Sequence, residues 1–354
     1  MPDTRLKNHE LSNNILPCPE PTPELFTPDK EDDTEGWFRY YENSAFNKIP
    51  TMHINPNKIV PYKGQFKYEA EGITLYSSNP DTLQNIDSYC LITLIHMLRN
   101  LKQGQEGGEI TVKEYMQLFN ISDRSNARKY LAHSIDTLGS LMLELYYWTP
   151  QNEKRTMKVP ILGAFEPLQR GVARYHLNKD YILFMTTLNN DMSAWLPETF
   201  YQVKDKDTLA LLLMLILGTR MNATKTHYTL IINVGTLLKT TSFDFKYHER
   251  IKDIGGLQQR LIDPFEKKLD GLRNYVSLQW EYCHDNGTPL TDEELNKQIS
   301  YIDFTKRSIK FTICNYPIST LPDDKKIDKR IPNGNGKKKA LKGSSKTATK
   351  KATD

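Results

Sequence analysis

The chain has 354 residues, with 47 Lys and Arg against 43 Asp and Glu, a formal net charge of +4 and four cysteines. That length holds two domains of ordinary size, each with its own core. Cys18, Cys90, Cys283 and Cys314 form no CxxC pair, so neither a zinc site nor a disulfide framework is read from them, and a reducing cytoplasm is the expected setting. The opening MPDTRLKNHELSNN lacks the basic start and apolar run of a signal peptide. The longest apolar run, Leu209 to Leu217, falls well short of the roughly 20 residues that span a bilayer, so no membrane partner is expected.

Charge is unevenly spread. Residues 1–37 carry three basic and nine acidic side chains, and residues 325–354 carry eleven basic and two acidic ones, which leaves the body nearly neutral. The acidic, Pro-rich start (residues 1–45) reads as an extended disordered arm. Residues 318–354 read as a basic disordered tail, either simply solvated or a non-specific tether to DNA.

Within the body, Ile73 to Tyr76 reads as a strand. Ser78-Asn79-Pro80-Asp81 starts a long helix whose apolar stripe is Leu83, Ile86, Cys90, Leu94, Met97 and Leu101. After the turn KQGQEGG comes the most informative stretch, Ile110 to Trp148. Val112, Tyr115, Met116 and Phe119 fall at helical spacing, Asn120 to Asp123 breaks the pattern, and Ser122 is placed to cap a second helix. That helix has Ala127, Leu131, Ile135 and Leu138 on its inner stripe. Ser125, Asn126, Lys129 and His133 fall opposite, flanked by Arg124 and Arg128.

Two helices joined by a short turn form a helix-turn-helix, whose second helix can enter the major groove. Asn pairs bidentately with adenine, and Arg or Lys with guanine or phosphate. An ordinary helical hairpin with a solvated polar face is the alternative. Leu141 to Trp148 and Arg155 to Leu162 read as strands around the polar tip TPQNEK, with Gly171 to Leu177 a third. A hairpin directly after a recognition helix is the wing of a winged helix, which would lay Lys154 and Arg155 against the phosphate backbone.

The second half repeats this order. Asp207 to Leu217 reads as a buried helix, Tyr228 to Ile232 as a strand and Val234 to Lys239 as a short helix, broken at Thr240 to Ser242. Another helix ends at Arg273, starting at about Tyr247 or Gly256, with Leu257, Leu261, Pro264, Phe265, Leu272 and the alkyl stem of Lys268 inward. Gln259, Asp263, Glu266 and Lys267 are expected outward. Because Asp263 and Glu266 repel phosphate, only Lys252, Gln258, Gln259 and Arg260 are expected to approach DNA. Strands Tyr275 to Tyr282 and Tyr301 to Ile313 follow, with Lys306 and Arg307 at a hairpin turn and against phosphate. The expected fold class is α+β: two tandem winged-helix domains, residues 46–190 and 191–317, between disordered termini.

The segment ITVKEYMQLFNISDRSNARKYLAHSIDTL resembles the first-domain pattern of the theta-type plasmid replication initiators, in which a Phe, a small loop and an Asn/Ala-rich helix carry the helix-turn-helix. LQQRLIDPFEKKLDGLRNYVSLQWEY followed by SIKFTI is similar to their second domain, where an Arg-apolar-apolar-x-Pro helix leads into a strand pair. The resemblance covers about residues 70–316. The chain departs from it in its acidic arm, in the insertion CHDNGTPLTDEELNKQ and in the acidic residues of the second recognition helix.

The resemblance implies a bacterial, cytoplasmic protein that binds short direct repeats of double-stranded DNA at a plasmid origin. It further implies melting of an adjacent AT-rich segment, recruitment of host helicase or initiator proteins, and a homodimer that represses its own promoter. A winged-helix transcriptional regulator without an initiation role is the alternative, and a purely protein-interacting module a third.

Signs of catalysis are sparse. There is no Gly-x4-Gly-Lys-Ser/Thr, and Asn333-Gly334-Asn335-Gly336-Lys337 lacks both the spacing and the preceding strand of a phosphate-binding loop. The eight histidines include no His-x-His pair, and Cys283-His284 is the only adjacent Cys/His pair. The expectation is a non-enzyme without cofactor or metal.

Overall fold

In the computed structural model, which describes residues 36–42, 49, 56–70, 73–148, 153–188, 193–222, 229–243, 256–314, 316 and 317, the first strand is β1 (Trp37–Tyr41). It lies inside the segment expected to be a disordered arm, yet Phe38 and Tyr40 are fully buried; residues 1–35, most of that arm, lie outside the described residues.

Strands β2 (Val60–Tyr62), β3 (Gln65–Ala70) and β4 (Ile73–Ser77) follow as an antiparallel meander. Helix α1 (Pro80–Gln84) is capped by Asn79. The single long helix expected here is two. The Asp87 carboxylate accepts a hydrogen bond from the Cys90 amide at 2.8 Å and starts α2 (Ser88–Lys102) afresh. A short Asx side chain competes with the helical backbone in this way, which apolar periodicity alone does not register.

Strand β5 (Gly107–Thr111) leads into α3 (Val112–Leu118) and α4 (Arg124–Ser140), and α4 runs without a loop into β6 (Leu141–Trp148), paired with β7 (Lys154–Pro160). These last two strands join the meander in a five-stranded sheet of order β2-β3-β4-β6-β7. β8 (Leu162–Gln169) and β9 (Val172–Leu177) instead return to β5, in a second sheet of order β5-β9-β8. α5 (Lys179–Leu183) follows, and β10 (Ser193–Pro197) pairs with β1, Phe38 opposite Leu196 and Tyr40 opposite Ala194.

The second half repeats the connectivity. α6 (Lys206–Asn222) precedes β11 (Thr229–Asn233) and α7 (Val234–Thr240). A π turn, Gln258–Ile262, then enters α8 (Asp263–Gly271), followed by β12 (Leu278–Cys283). α9 (Asp292–Asn296), α10 (Tyr301–Lys306) and β13 (Ser308–Ile313) complete it, with strand order β11-β13-β12. Both halves thus run helix, strand, short helix, longer helix, strand, strand, with the third strand of each sheet central. The strand expected over Tyr301 to Ile313 is in fact α10 plus β13. The Ser300 hydroxyl accepts from the Asp303 amide at 3.2 Å and nucleates a helical turn where alternation suggested a strand.

The protein is therefore α+β. Apolar side chains of β1, α2, β6, β10 and α6 belong to one continuous core, and Leu209 to Leu213 of α6 are buried all round. No helix among the described residues is long and apolar enough to cross a membrane. Cys90 and Cys283 are buried free thiols.

The halves meet around the 3-10 turn Glu198–Gln202. Tyr201 is stacked on Phe38 at 5.1 Å, edge-on to Phe119 at 6.2 Å, and its hydroxyl lies 3.1 Å from His96 Nδ1. Arg99 pairs with Glu198 at 2.9 Å, and the Ser88 hydroxyl donates to the Lys204 carbonyl at 2.7 Å.

Burial, helped by the neighbouring Arg99 charge, lowers the His96 pKa to about 4 from its ordinary 6.5. The folded state therefore holds His96 neutral where the unfolded chain already binds a proton. The resulting stability is fully present above pH 6.5, declines as pH falls, and is lost by about pH 4. The expected loss from this group is about 3 kcal/mol across that window. Urea denaturation at pH 7, 5.5 and 4 should show a flatter dependence in His96→Gln than in the parent; equal slopes would refute the assignment.

Candidate nucleic-acid interface

The α3–α4 pair is built by caps at each helix start. The Thr111 hydroxyl accepts from the Glu114 amide at 3.0 Å, and the Glu114 carboxylate accepts in return from the Thr111 amide at 3.4 Å, a reciprocal capping box that starts α3. Asn120 takes a positive φ of 49°, which turns the chain at the end of α3. Asp123, and not the expected Ser122, caps α4: its Oδ1 accepts from the amides of Ser125 at 2.7 Å and Asn126 at 3.3 Å. Either residue type suits the position, and the register of the turn decides between them.

α4 is two-sided. Ala127, Leu131, Ile135 and Leu138 are fully buried, as their spacing required, and Tyr130 stacks on Tyr89 of α2 with centroids 4.2 Å apart. Arg124, Ser125, Asn126, Arg128 and Lys129 are all exposed. Among the described residues, no side-chain hydrogen bond or ion pair engages any of these five. His133 behaves differently. Its Nε2 lies 3.0 Å from the Asn85 carbonyl, so the ring is tied back to the α1–α2 connection and leaves the polar face.

Lys154 and Arg155 are exposed on the β6–β7 hairpin, which forms as expected but belongs to the five-stranded sheet; its tip, residues 149–152, lies outside the described residues. Consecutive strand residues point to opposite faces. Lys154 lies 4.2 Å from the Tyr146 ring centroid, while Arg155 pairs with Glu153 at 3.0 Å. The hairpin in the sheet beside α3 and α4 is instead β8–β9, closed by Arg170 and Gly171, both at positive φ (50° and 87°). The Gly171 carbonyl accepts from the Val112 amide at 2.9 Å, which ties this turn to the start of α3. Sequence reasoning misses the exposed Arg170; an Arg-Gly pair between two alternating strands is the signal that could have found it.

In the second half, Lys252 lies outside the described residues. Gln258, Gln259 and Arg260 are exposed on the π turn before α8, with Gln258 donating to Asp263 at 2.6 Å. Glu266 was expected outward, but it is half-buried and accepts from the Tyr282 hydroxyl at 3.0 Å; burial pushes its carboxyl pKa up. The pairing of Lys306 and Arg307 at a hairpin turn is overturned. Lys306 ends α10, and the half-buried Arg307 donates to the Glu294 carbonyl at 2.5 Å beneath the Tyr282 ring. Arg307 is a structural clamp on the inserted segment. His284 Nε2 lies 3.5 Å from Glu294 while Cys283 is buried, and among the described residues no three His, Cys, Asp or Glu side chains are grouped to hold a metal.

No family model and no curated protein matches the chain. Among solved structures it is similar to domains 2 and 3 of RctB. One, described as SeMet derivatives of those domains, covers 83% of this chain and 95% of that one at 11% identity and a TM-score of 0.41. The other, RctB-155-483, covers 76% and 96% at 13% identity and a TM-score of 0.40.

The Asp123 cap has a direct test. Asp123→Ala should lower stability in urea by about 1 kcal/mol, and Ser122→Ala should leave it nearly unchanged. The reverse ranking would place the cap at Ser122.

Proposed function

We propose that the protein is a sequence-specific, double-stranded DNA-binding replication initiator built of two tandem winged helices, of roughly residues 46–190 and 191–317. The observation that carries the reading is the set of five exposed, unengaged polar and basic side chains on the first turns of α4, opposite a fully buried stripe. Two of the five, Ser125 and Asn126, are short polar readers, and Arg124, Arg128 and Lys129 are cations. That combination suits base edges flanked by phosphates.

The matching strand orders of the two three-stranded sheets support a doubled DNA-binding unit, as does the placement of a capped short helix after the first strand of each. In the second unit the exposed Gln258, Gln259 and Arg260 take the corresponding place, while the half-buried Glu266 is held by the Tyr282 hydroxyl. The initiation role rests on the resemblance of residues 70–316 to plasmid initiators. With it come origin repeats as ligand, host helicase or initiator proteins as partners, and a homodimer as the repressing form. The protein acts as a non-enzyme and needs no cofactor.

Asn126→Ala should weaken binding to the specific repeat by about 1–3 kcal/mol and leave affinity for random DNA unchanged. Arg124→Ala and Lys129→Ala should weaken both and flatten the slope of log affinity against log salt by about one unit for each phosphate left without its cation. Equal losses for Asn126→Ala on both DNAs would remove the base-reading role. Replication of a reporter plasmid bearing the repeats, abolished by the same substitution, would separate an initiator from a regulator, which would alter only expression.

A further inference from the structure

The five-stranded sheet has one face in the core, through Tyr68, Leu75, Leu143, Leu145 and Val159, and one face outside. Strand register sets Lys67, Tyr76 and Met142 in one row of the outer face, with Thr74, Glu144 and Lys158 in the next. Three ammonium groups converge on a single exposed ring. Lys63, Lys67 and Lys158 lie 5.4, 5.6 and 5.8 Å from the Tyr62 centroid, and Lys158 also sits 3.5 Å from that of Tyr76. Tyr146, four residues beyond Met142 on β6 and hence about 13 Å further along the strand, carries Lys154 over its ring at 4.2 Å. Tyr62 and Tyr146 remain 37% and 36% exposed.

The charge balance of the face favours an anion. Its carboxylates are Glu69, paired with Lys67 at 2.6 Å, and Glu144, which accepts from the Tyr76 hydroxyl at 2.6 Å. Lys63, Lys154 and Lys158 have no carboxylate partner among the described residues; Lys158 donates only to the Gln65 amide oxygen, at 2.8 Å. Each ring face attracts its ammonium groups, but the lysines repel one another, and a ligand that brings negative charge relieves that repulsion.

We infer that the outer face of this sheet binds single-stranded nucleic acid, with Tyr62 and Tyr146 stacking on unpaired bases and Lys63, Lys67, Lys154 and Lys158 following the phosphates. Duplex DNA presents the phosphates but keeps its base faces stacked internally, so the exposed rings would have nothing to meet. An unpaired strand offers both, and base–aromatic stacking tolerates any sequence. The site shares no residue with α4 and does not rest on the duplex reading of that helix.

The test uses the full chain and a fluorescein-labelled oligo(dT), read by anisotropy at low and physiological salt, with an unlabelled hairpin duplex as competitor. The parent should bind oligo(dT). The double variant Tyr62→Ala/Tyr146→Ala should lose about tenfold or more, Tyr62→Phe/Tyr146→Phe should bind like the parent, and both should keep the parent's melting temperature and duplex affinity. Lys154→Gln should lower the salt slope for oligo(dT) alone. Failure of the parent to bind oligo(dT), or an unchanged affinity in a folded alanine double variant, overturns the proposal. Equal losses on oligo(dT) and duplex would also overturn it, by making the face a general phosphate surface.

Discussion

Tyr201 leaves the turn after β10 and enters a socket made by three other elements: Phe38 of β1, His96 of α2 and Phe119 at the end of α3. Its ring is almost wholly buried, and its hydroxyl lies 3.1 Å from Nδ1 of the buried His96. A large aromatic planted this way cannot shift without opening a cavity, and emptying such a site costs about 3–5 kcal/mol. The helix that carries the exposed cations is anchored on α2, and α2 is anchored on this turn. The pose of α4 relative to the second half is therefore set by packing, with the Arg99–Glu198 ion pair linking α2 to the same turn.

Such anchoring would serve the base-reading role proposed for α4. Side chains that read base edges must be held within a fraction of an ångström, so a recognition helix profits from a backbone that does not move on binding. α4 meets this demand through its fully buried inner stripe, the Tyr89–Tyr130 stack and the close approach of Gly139 to Phe165, where an added Cβ would fall 2.3 Å from the ring. Gly107 plays a similar part in the adjacent sheet, since a Cβ there would sit 2.7 Å from the Tyr175 carbonyl. Among the described residues, the side chains of Arg124, Ser125, Asn126, Arg128 and Lys129 have no internal partner.

The two halves share connectivity but spend their extra residues differently. In the first, the β6–β7 hairpin between α4 and β8 extends a separate sheet and creates the tyrosine- and lysine-rich face. In the second, the excursion between β12 and β13 folds as α9 and α10, and Arg307 fastens it to the Glu294 carbonyl. The segment beyond Pro317, with its eleven lysines and arginines from residue 325 onward, lies outside the described residues, and so does Lys252.

Local pattern alone determined much of this protein. The spacing of Ala127, Leu131, Ile135 and Leu138 located α4 and its polar face, the alternation in Leu141–Trp148 located β6, and the breaks at Asn120 and Thr240 ended α3 and α7. Each depends on neighbours within a turn or two, which a sequence displays directly. What tertiary structure decided was partnership. Whether Glu266 meets water or Tyr282, whether His133 faces out or binds Asn85, and whether Arg307 is a phosphate ligand or a clamp all turn on residues 13 to 48 positions away. Whether β8 extends the β6–β7 sheet or returns to the sheet of β5 and β9 is likewise settled by the sheets that receive it. The convergence of Lys63, Lys67 and Lys158 on Tyr62 is of the same kind, joining β2, β3 and β7 across the sheet. Periodicity identifies which face of an element is buried, but the element that covers it is chosen by sheet register and chain closure, and these are properties of the whole fold.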